Sequence, residues 1–543
     1  MFENFLLLFI KFFVLYSVFY LTGRAFVIAF YKQEINVSKN IFLKISDIKA
    51  EFFFPIIGLF VIGNIAFIFN FFLPLNNIYP ILIFIIFLNM MNLMKKFQFS
   101  EIKNFFQSTW VFPVLISTSF LVSFSYDAGL YHLNNQLWLR ESNIVFGFSN
   151  IYGPFGVSSL FEYVSALLWF DKSFILLHFL NIFFIGTFYQ FLTYNLTIQK
   201  KPFLKNSSFI LLIFSILDNF GVDGGRNGFL YVQSVGNLDV SLAVLYLITS
   251  ILIFNSLING NFLNTDLKTF LILSLFLFQL KVSSVPIFIF LFIYFYNFSR
   301  KKGLSSSIKN SFFVIILGFL WIIKSVLHSG CLVFPFLPSC LGNLEWVDSN
   351  YLKATSEVSI AFSNSYIVGE NFLIWFNHYI DIPINRTVLY NFLLSLLVIL
   401  IVNAKKLKKF SNTEVYAYLF IFIFGNILFY LSFGPDVRYI IGFQLFIIGS
   451  LGVHIKDTLI NNKKILILLI ASSLLLVPRI SNYKIENFKL NVIVETPNYT
   501  NDIFNDRTKP SEGDQCWIDI KCSANKLDYN IEQRLYYKIV TIP

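Results

Sequence analysis

The residues best suited to chemistry in this chain form one short run, Ser125-Tyr126-Asp127-Ala128-Gly129-Leu130-Tyr131-His132-Leu133, continuing to Trp138-Leu139-Arg140-Glu141. Asp127 follows directly on an apolar segment, which places its carboxylate at a membrane–water boundary. There it can serve as a general base, orient a hydroxyl, or help hold a divalent cation such as Mg or Mn. It also reads as the N-cap of a helix over Gly129–Arg140, a role compatible with either chemistry. His132, five residues on, is a second candidate for the same pocket, as a metal ligand beside Asp127 or as a plain hydrogen-bonding residue.

Other ionisable residues interrupt apolar sequence. They are Arg140, Asp223 and Arg226 in a Gly-rich loop, Asp239 at the start of an apolar run, and Lys281 between Leu280 and Val282. Asp436 and Arg438 follow in the turn Gly434-Pro435-Asp436-Val437-Arg438. An ionisable side chain within a bilayer costs about 2.5–3.5 kcal/mol on insertion scales and marks a functional site by default. Lys281, Arg438 and Arg226 have the chemistry to hold a phosphate, arginine through paired donors. The competing reading is snorkelling to the interface, or structural pairing with Asp436 or Asp239.

The elements that must position these groups are bilayer-spanning helices. Of 543 residues 56% are hydrophobic and 13% are charged, about half the charged fraction of a soluble domain. The apolar surface must therefore face lipid. The net charge of +11 is no nucleic-acid signal, because Lys and Arg gather in short clusters between apolar runs: Lys95-Lys96, Lys200-Lys201, Arg300-Lys301-Lys302, Lys405-Lys406 and Lys463-Lys464. That is the positive-inside pattern. Membrane lipid is the expected partner, and nucleic acid is not. Apolar runs of about 20 residues, enough to span, number roughly 12–14, the first being a retained span from near Phe5. Lys268–Asn297 reads as one long helix or two short ones.

Holding the basic clusters in the cytoplasm sends 125–172, 220–238, 328–386 and the tail from Arg479 to the outside. All four cysteines, Cys331, Cys340, Cys516 and Cys522, fall there, where disulfides persist. Four cysteines allow three pairings, of which Cys331–Cys340 with Cys516–Cys522 is expected. Leu130, Leu133, Leu137 and Trp138 recur at helical spacing, which predicts an interfacial helix with Asn134, Asn135 and Arg140 facing up. Val157–Phe170 is too short to span and reads as a second interfacial helix. The expected fold class is an all-α integral membrane protein in three parts: N-terminal spans 1–106, a core 107–478 with the outer loops, and an extracytoplasmic tail 479–543.

The run Tyr126-Asp127-Ala128-Gly129-Leu130-Tyr131-His132 resembles a Y-D-x-G-L-Y-H motif of an uncharacterised family of bacterial multi-pass membrane proteins. Gly513-Asp514-Gln515-Cys516-Trp517 resembles that family's G-D-Q-C-W segment, and Gly434-Pro435-Asp436-Val437-Arg438-Tyr439 its P-D-x-R-F turn. Tyr152 and Pro154 depart from the family's pattern, in which His and Arg stand. The family's architecture is in turn similar to that of the C-type glycosyltransferases (GT-C), which use polyprenyl-phosphate sugars and carry an acidic residue just after a span in the first outer loop. The resemblance implies an enzyme of the bacterial cytoplasmic membrane with its site facing the periplasm. It would move a sugar from a polyprenyl-phosphate donor to a glycan or lipid acceptor, with Asp127 catalytic. A transporter or flippase for a lipid-linked glycan, a glycan polymerase or ligase, and a non-catalytic assembly factor are the alternatives.

Overall fold

In lipid a chain must satisfy its own backbone hydrogen bonds, and an apolar run does so as a helix. The computed structural model describes residues 2–31, 44–94, 109–169, 174–199, 201–220, 232–364, 372–403, 413–433, 437–455, 462–475, 501–504, 507–510, 515, 517 and 529–543. Among them seven helices are long and apolar enough to cross a membrane: Glu3–Phe30, Ala50–Asn70, Ile175–Thr197, Asp239–Asn259, Leu304–Ser329, Thr413–Ser432 and Val437–His454. Three shorter apolar helices, Tyr79–Leu93, Asn385–Ile401 and Lys464–Leu474, accompany them. The protein is thus mostly helical, with seven of the 12–14 expected segments reaching spanning length.

Local sequence accounts for one of the differences. The run from Thr109 is α-helical only over Phe112–Ile116 and continues as a 3-10 turn over Ser117–Leu121. There the Ser117 and Thr118 hydroxyls donate to the carbonyls of Val114 and Leu115, three residues back, at 2.5 and 2.6 Å, competing with the α-helical pattern. Lys268–Asn297 falls into two short helices joined by a 3-10 turn over Val282–Ser284.

The elements used below are α1 (Phe2–Phe30), α2 (Phe54–Asn70), α3 (Leu133–Glu141), α4 (Leu160–Leu167), α5 (Asp239–Asn259), α6 (Asn264–Leu280), α7 (Ile287–Lys302) and α8 (Leu304–Ser329). One buried apolar cluster extends from Leu8 to Trp517, and much of its packing is ring against ring. Phe290 stacks on Phe422 with centroids 3.6 Å apart, and Phe12 lies 4.8 Å from Phe112. Where α1 crosses α2 the backbones touch. A Cβ on Gly58 would lie 1.8 Å from the Phe19 carbonyl oxygen, and one on Gly23 1.8 Å from that of Phe54. Close approach through small residues is how helices associate where water does not drive them together. Gly58→Leu is expected to force α1 off α2 and destabilise the protein by about 1–3 kcal/mol or more. A melting curve in detergent reads this, and an unchanged midpoint would show that the crossing carries little.

The two ends of the bundle differ in chemistry. At the Asn259 end of α5 a hairpin of β1 (Lys44–Ile45) and β2 (Ile48–Lys49) turns through Ser46 and Asp47, both with positive φ. It is held by Ser46 N donating to Asp266 Oδ1 at 2.9 Å and Asn259 Nδ2 to Asp47 Oδ2 at 3.2 Å. Lys301, from the Arg300–Lys302 cluster, donates to the Gly260 carbonyl at this same end. Asp239 and Lys281 stand at the other.

The tail adds strands that an all-α expectation omits. Here β3 (Val145–Phe146) pairs in parallel with the C-terminal strand, which itself pairs antiparallel with its predecessor. Asn501–Phe504 and Arg507–Pro510 are β4 and β5; Asn530–Arg534 and Tyr537–Thr541 are β6 and β7. Asn150 Nδ2 donates to the carbonyls of both Trp346 and Val540, at 2.9 and 2.8 Å. Arg534 donates to both oxygens of Glu345, and the Arg534 guanidinium holds the Glu345 carboxyl below its usual range. A disulfide joins Cys331 to Cys340. Cys516 and Cys522 lie outside the described residues.

Candidate functional site

A helix begins at Tyr126 and runs to Glu141. Its cap is Ser125, whose Oγ accepts a hydrogen bond from Ala128 N at 3.1 Å. Asp127 already has helical backbone angles, φ −63° and ψ −23°, and its side chain makes no capping bond, so the capping role read for it from sequence passes to Ser125. A cap needs the non-helical residue before the first turn, and that is one position occupied by Ser and two before Asp. Among the described residues no hydrogen bond or ion pair ties down the half-buried Asp127 carboxylate. The strand-like segment before it is fixed instead: Ser125 N donates to Val235 O, and Val235 N to Ser123 O, at 2.9 and 3.0 Å. Val235 leads into α5, so one strut positions both Asp127 and Asp239.

The helix contains a π-turn over Ala128–His132, followed by α3. Asn134, Asn135 and Gln136 are buried, which corrects the expectation of an upward polar face. The tail and the turn before α4 cover that face, so its amides find protein partners in place of water. Asn134 Nδ2 donates to the Trp517 carbonyl and Asn135 Oδ1 accepts from Ser158 Oγ, both at 3.4 Å. Arg140 donates to the Ala166 carbonyl at 2.6 Å and lies over the Trp169 ring. It secures the end of α4.

Trp517 covers the start of this helix. Its N–H donates to the Gly129 carbonyl, its ring lies edge-on to Phe124, and Gln515 Nε2 donates to the Tyr126 carbonyl. A Cβ at Gly129 would sit 2.6 Å from the Trp517 ring. Gly129→Val should therefore lift Trp517 and expose the tail to protease, with little effect on the spans. Limited proteolysis that leaves the tail as resistant as in wild type would contradict this contact.

Asp239 opens α5, where a carboxylate is favoured by the helix N-terminus, and Lys281 closes α6, where a cation is favoured. The chain becomes extended at Lys281, φ −161° and ψ 132°, before turning into α7. The two side chains form an ion pair at 2.7 Å, so the structural partner considered for Lys281 is realised. The Lys281 ammonium also lies 4.4 Å from the Tyr439 ring centroid, with Arg438 beside the same ring. Arg438 and His132 are within electrostatic reach of Asp239. A small cleft opens here, lined by Asp239, Tyr246, Ser283, Tyr430, Arg438 and Tyr439 among others.

Tyr131 joins the two halves. Burial raises its hydroxyl well above the usual tyrosine range, and the carboxylates of Asp127, Asp239 and Glu162 raise it further. The structure thus gathers Asp127, His132, Asp239, Lys281 and Arg438 at one end of the bundle. Asp223, Arg226 and Asp436 lie outside the described residues.

Two site residues escaped the sequence reading. Glu162, in α4, engages His132 Nδ1 and accepts from Gln136 Nε2 at 2.6 Å. Lys324, buried in α8, donates to the Ser158 carbonyl at 2.6 Å and lies 4.3 Å from the Trp321 centroid, tying α8 to the turn before α4. Each is an ionisable residue inside an apolar run, and that signal would have found both. Among the described residues no three His, Cys, Asp or Glu side chains come together as a metal would require.

A family model described as a domain of unknown function (DUF8201) matches residues 5–445. It takes in the first spans, which the motif resemblance beginning at Asp127 leaves out. Among curated proteins no match is found.

Proposed function

This chain belongs to the DUF8201 family, and from the geometry above we propose that it is a membrane glycosyltransferase of the lipid-linked-sugar type. The observation that carries the reading is the gathering of Asp127, Asp239, Lys281 and Arg438 at one end of an apolar bundle. A polyprenyl-phosphate sugar has an apolar chain that belongs among lipid-facing helices and a charged phosphate that belongs at their ends. Lys281 and Arg438 stand by Asp239 at this end, and both have the chemistry to hold a phosphate. Fixed charge aimed at a leaving group is a large source of catalysis. The open Asp127 carboxylate then serves as general base or orients the acceptor hydroxyl.

In this reading the chain lies in the bacterial cytoplasmic membrane with the Asp127 end outward. The Arg300–Lys302 end faces the cytoplasm, in keeping with the positive-inside rule. The acceptor is an envelope glycan or lipid. The test is the envelope glycan profile of cells carrying Asp127→Ala at normal protein levels. Loss of one glycan supports the reading, and an unchanged profile removes it.

A further inference from the structure

In an α-helix, at 3.6 residues per turn, residues five apart point about 140° away from one another. The π-turn changes this for Asp127 and His132. Leu133 N donates to the Ala128 carbonyl, an i→i+5 bond, and such a turn brings residues five apart to about one full turn, on the same face. His132 is thereby swung from the flank of the helix toward the face that carries Asp127.

His132 is also held from behind by a chain of hydrogen bonds with a fixed direction. Trp169 Nε1, which can only donate, gives its proton to Gln136 Oε1 at 2.7 Å. The Gln136 amide must then present its NH2 group to Glu162 Oε2. The other oxygen, Oε1, faces His132 Nδ1. A carboxylate accepts, so Nδ1 carries the proton and Nε2 is the nitrogen with the open lone pair. The pair is well sheltered, with side-chain exposures of 11% for His132 and 4% for Glu162. Among the described residues Nε2 has no hydrogen-bond partner.

We propose that His132 is the catalytic base of the transferase and Glu162 its positioning residue, with Asp127 orienting the acceptor hydroxyl. The inference rests on the proposed transferase reading and says which group takes the proton. The acceptor O–H bond breaks and its proton goes to His132 Nε2. The acceptor oxygen bonds to the anomeric carbon of the sugar. The bond from that carbon to the phosphate oxygen breaks, and its electron pair leaves on the polyprenyl phosphate, facing Lys281 and Arg438.

The directional chain makes a prediction that no merely structural role for Glu162 would share. In Glu162→Gln the new amide oxygen must accept from Gln136, which turns the new NH2 toward His132 Nδ1. The imidazole proton then moves to Nε2 and the base is lost, in a side chain of almost unchanged shape. ¹⁵N spectra of the full chain in detergent read this without any transfer assay. His132 is assigned among the five histidines by the signal missing in His132→Gln. The expected result is an Nδ1–H tautomer in wild type and an Nε2–H tautomer in Glu162→Gln. An Nε2–H tautomer in wild type overturns the proposal.

Kinetics in membranes, with a polyprenyl-phosphate-linked hexose as donor, supply the second arm. His132→Gln should lower kcat by about 10²- to 10⁴-fold, as loss of a general base does, and Glu162→Gln by a similar factor, because its tautomer leaves no lone pair on Nε2 to take the proton. KM should change little in either. Full activity of His132→Gln alongside inactivity of Asp127→Asn overturns the base assignment and leaves the transferase reading in place. Failure of the wild type to transfer from any such donor overturns both.

Discussion

Asp127→Asn lowers sugar transfer by at least about 10²-fold while the protein stays inserted and folded. The loss follows from charge and hydrogen-bond acceptance alone, because asparagine has nearly the same shape. Asp127 orients the acceptor hydroxyl, and misplacing that hydroxyl by about 1 Å costs about 10². Folding should be spared for a specific reason. Ser125 supplies the helix cap, and no described residue depends on the Asp127 carboxylate for a partner. Had Asp127 been the cap, its loss would have cost about 1 kcal/mol of stability. The measurement is therefore paired: glycan profile or transfer rate, and melting temperature in detergent. A variant that melts early and transfers normally would reverse the assignment.

Lys281→Ala is expected to be the most destabilising single change at the site, at about 3–5 kcal/mol, because it leaves Asp239 as a buried carboxylate without its ion-pair partner. The neighbouring Arg438 is in electrostatic reach of Asp239 and offsets part of that loss. Removing both charges, with Asp239→Asn and Lys281→Met together, should recover much of the stability, since an apolar or neutral replacement of a buried pair is often neutral. Activity should not recover with it, because the phosphate then loses a cation. A melting curve and a transfer assay on the single and double variants separate the two effects. Equal stability of Lys281→Ala, the double variant and the wild type would mean that the pair contributes nothing to the fold, and full activity of the double variant would exclude Lys281 from phosphate binding.

By itself the sequence determined that the chain is helical and apolar, and which polar residues stand out against that background. Asp127, Asp239, Lys281 and Arg438 were legible because a charge within an apolar run is costly and therefore conspicuous. That Ser125 and not Asp127 caps the helix was not open to sequence reasoning, since both residue types cap helices and only backbone angles tell which one precedes the first turn. The π-turn left no local mark either, because one residue more per turn alters facing without altering composition.

Tertiary structure alone decided who pairs with whom. Lys281 meets Asp239 across 42 residues, His132 meets Glu162 across 30, and Asn134 meets Trp517 across 383. Periodicity fixes which residues share one helix face, but it carries no information about which other helix that face will meet. The same packing buried Asn134 and Asn135, which alone would face water, and left the Asp127 carboxylate open beside Tyr131. The sequence thus determined which groups could do chemistry, and the folding of distant segments onto one end of the bundle decided which of them can act together.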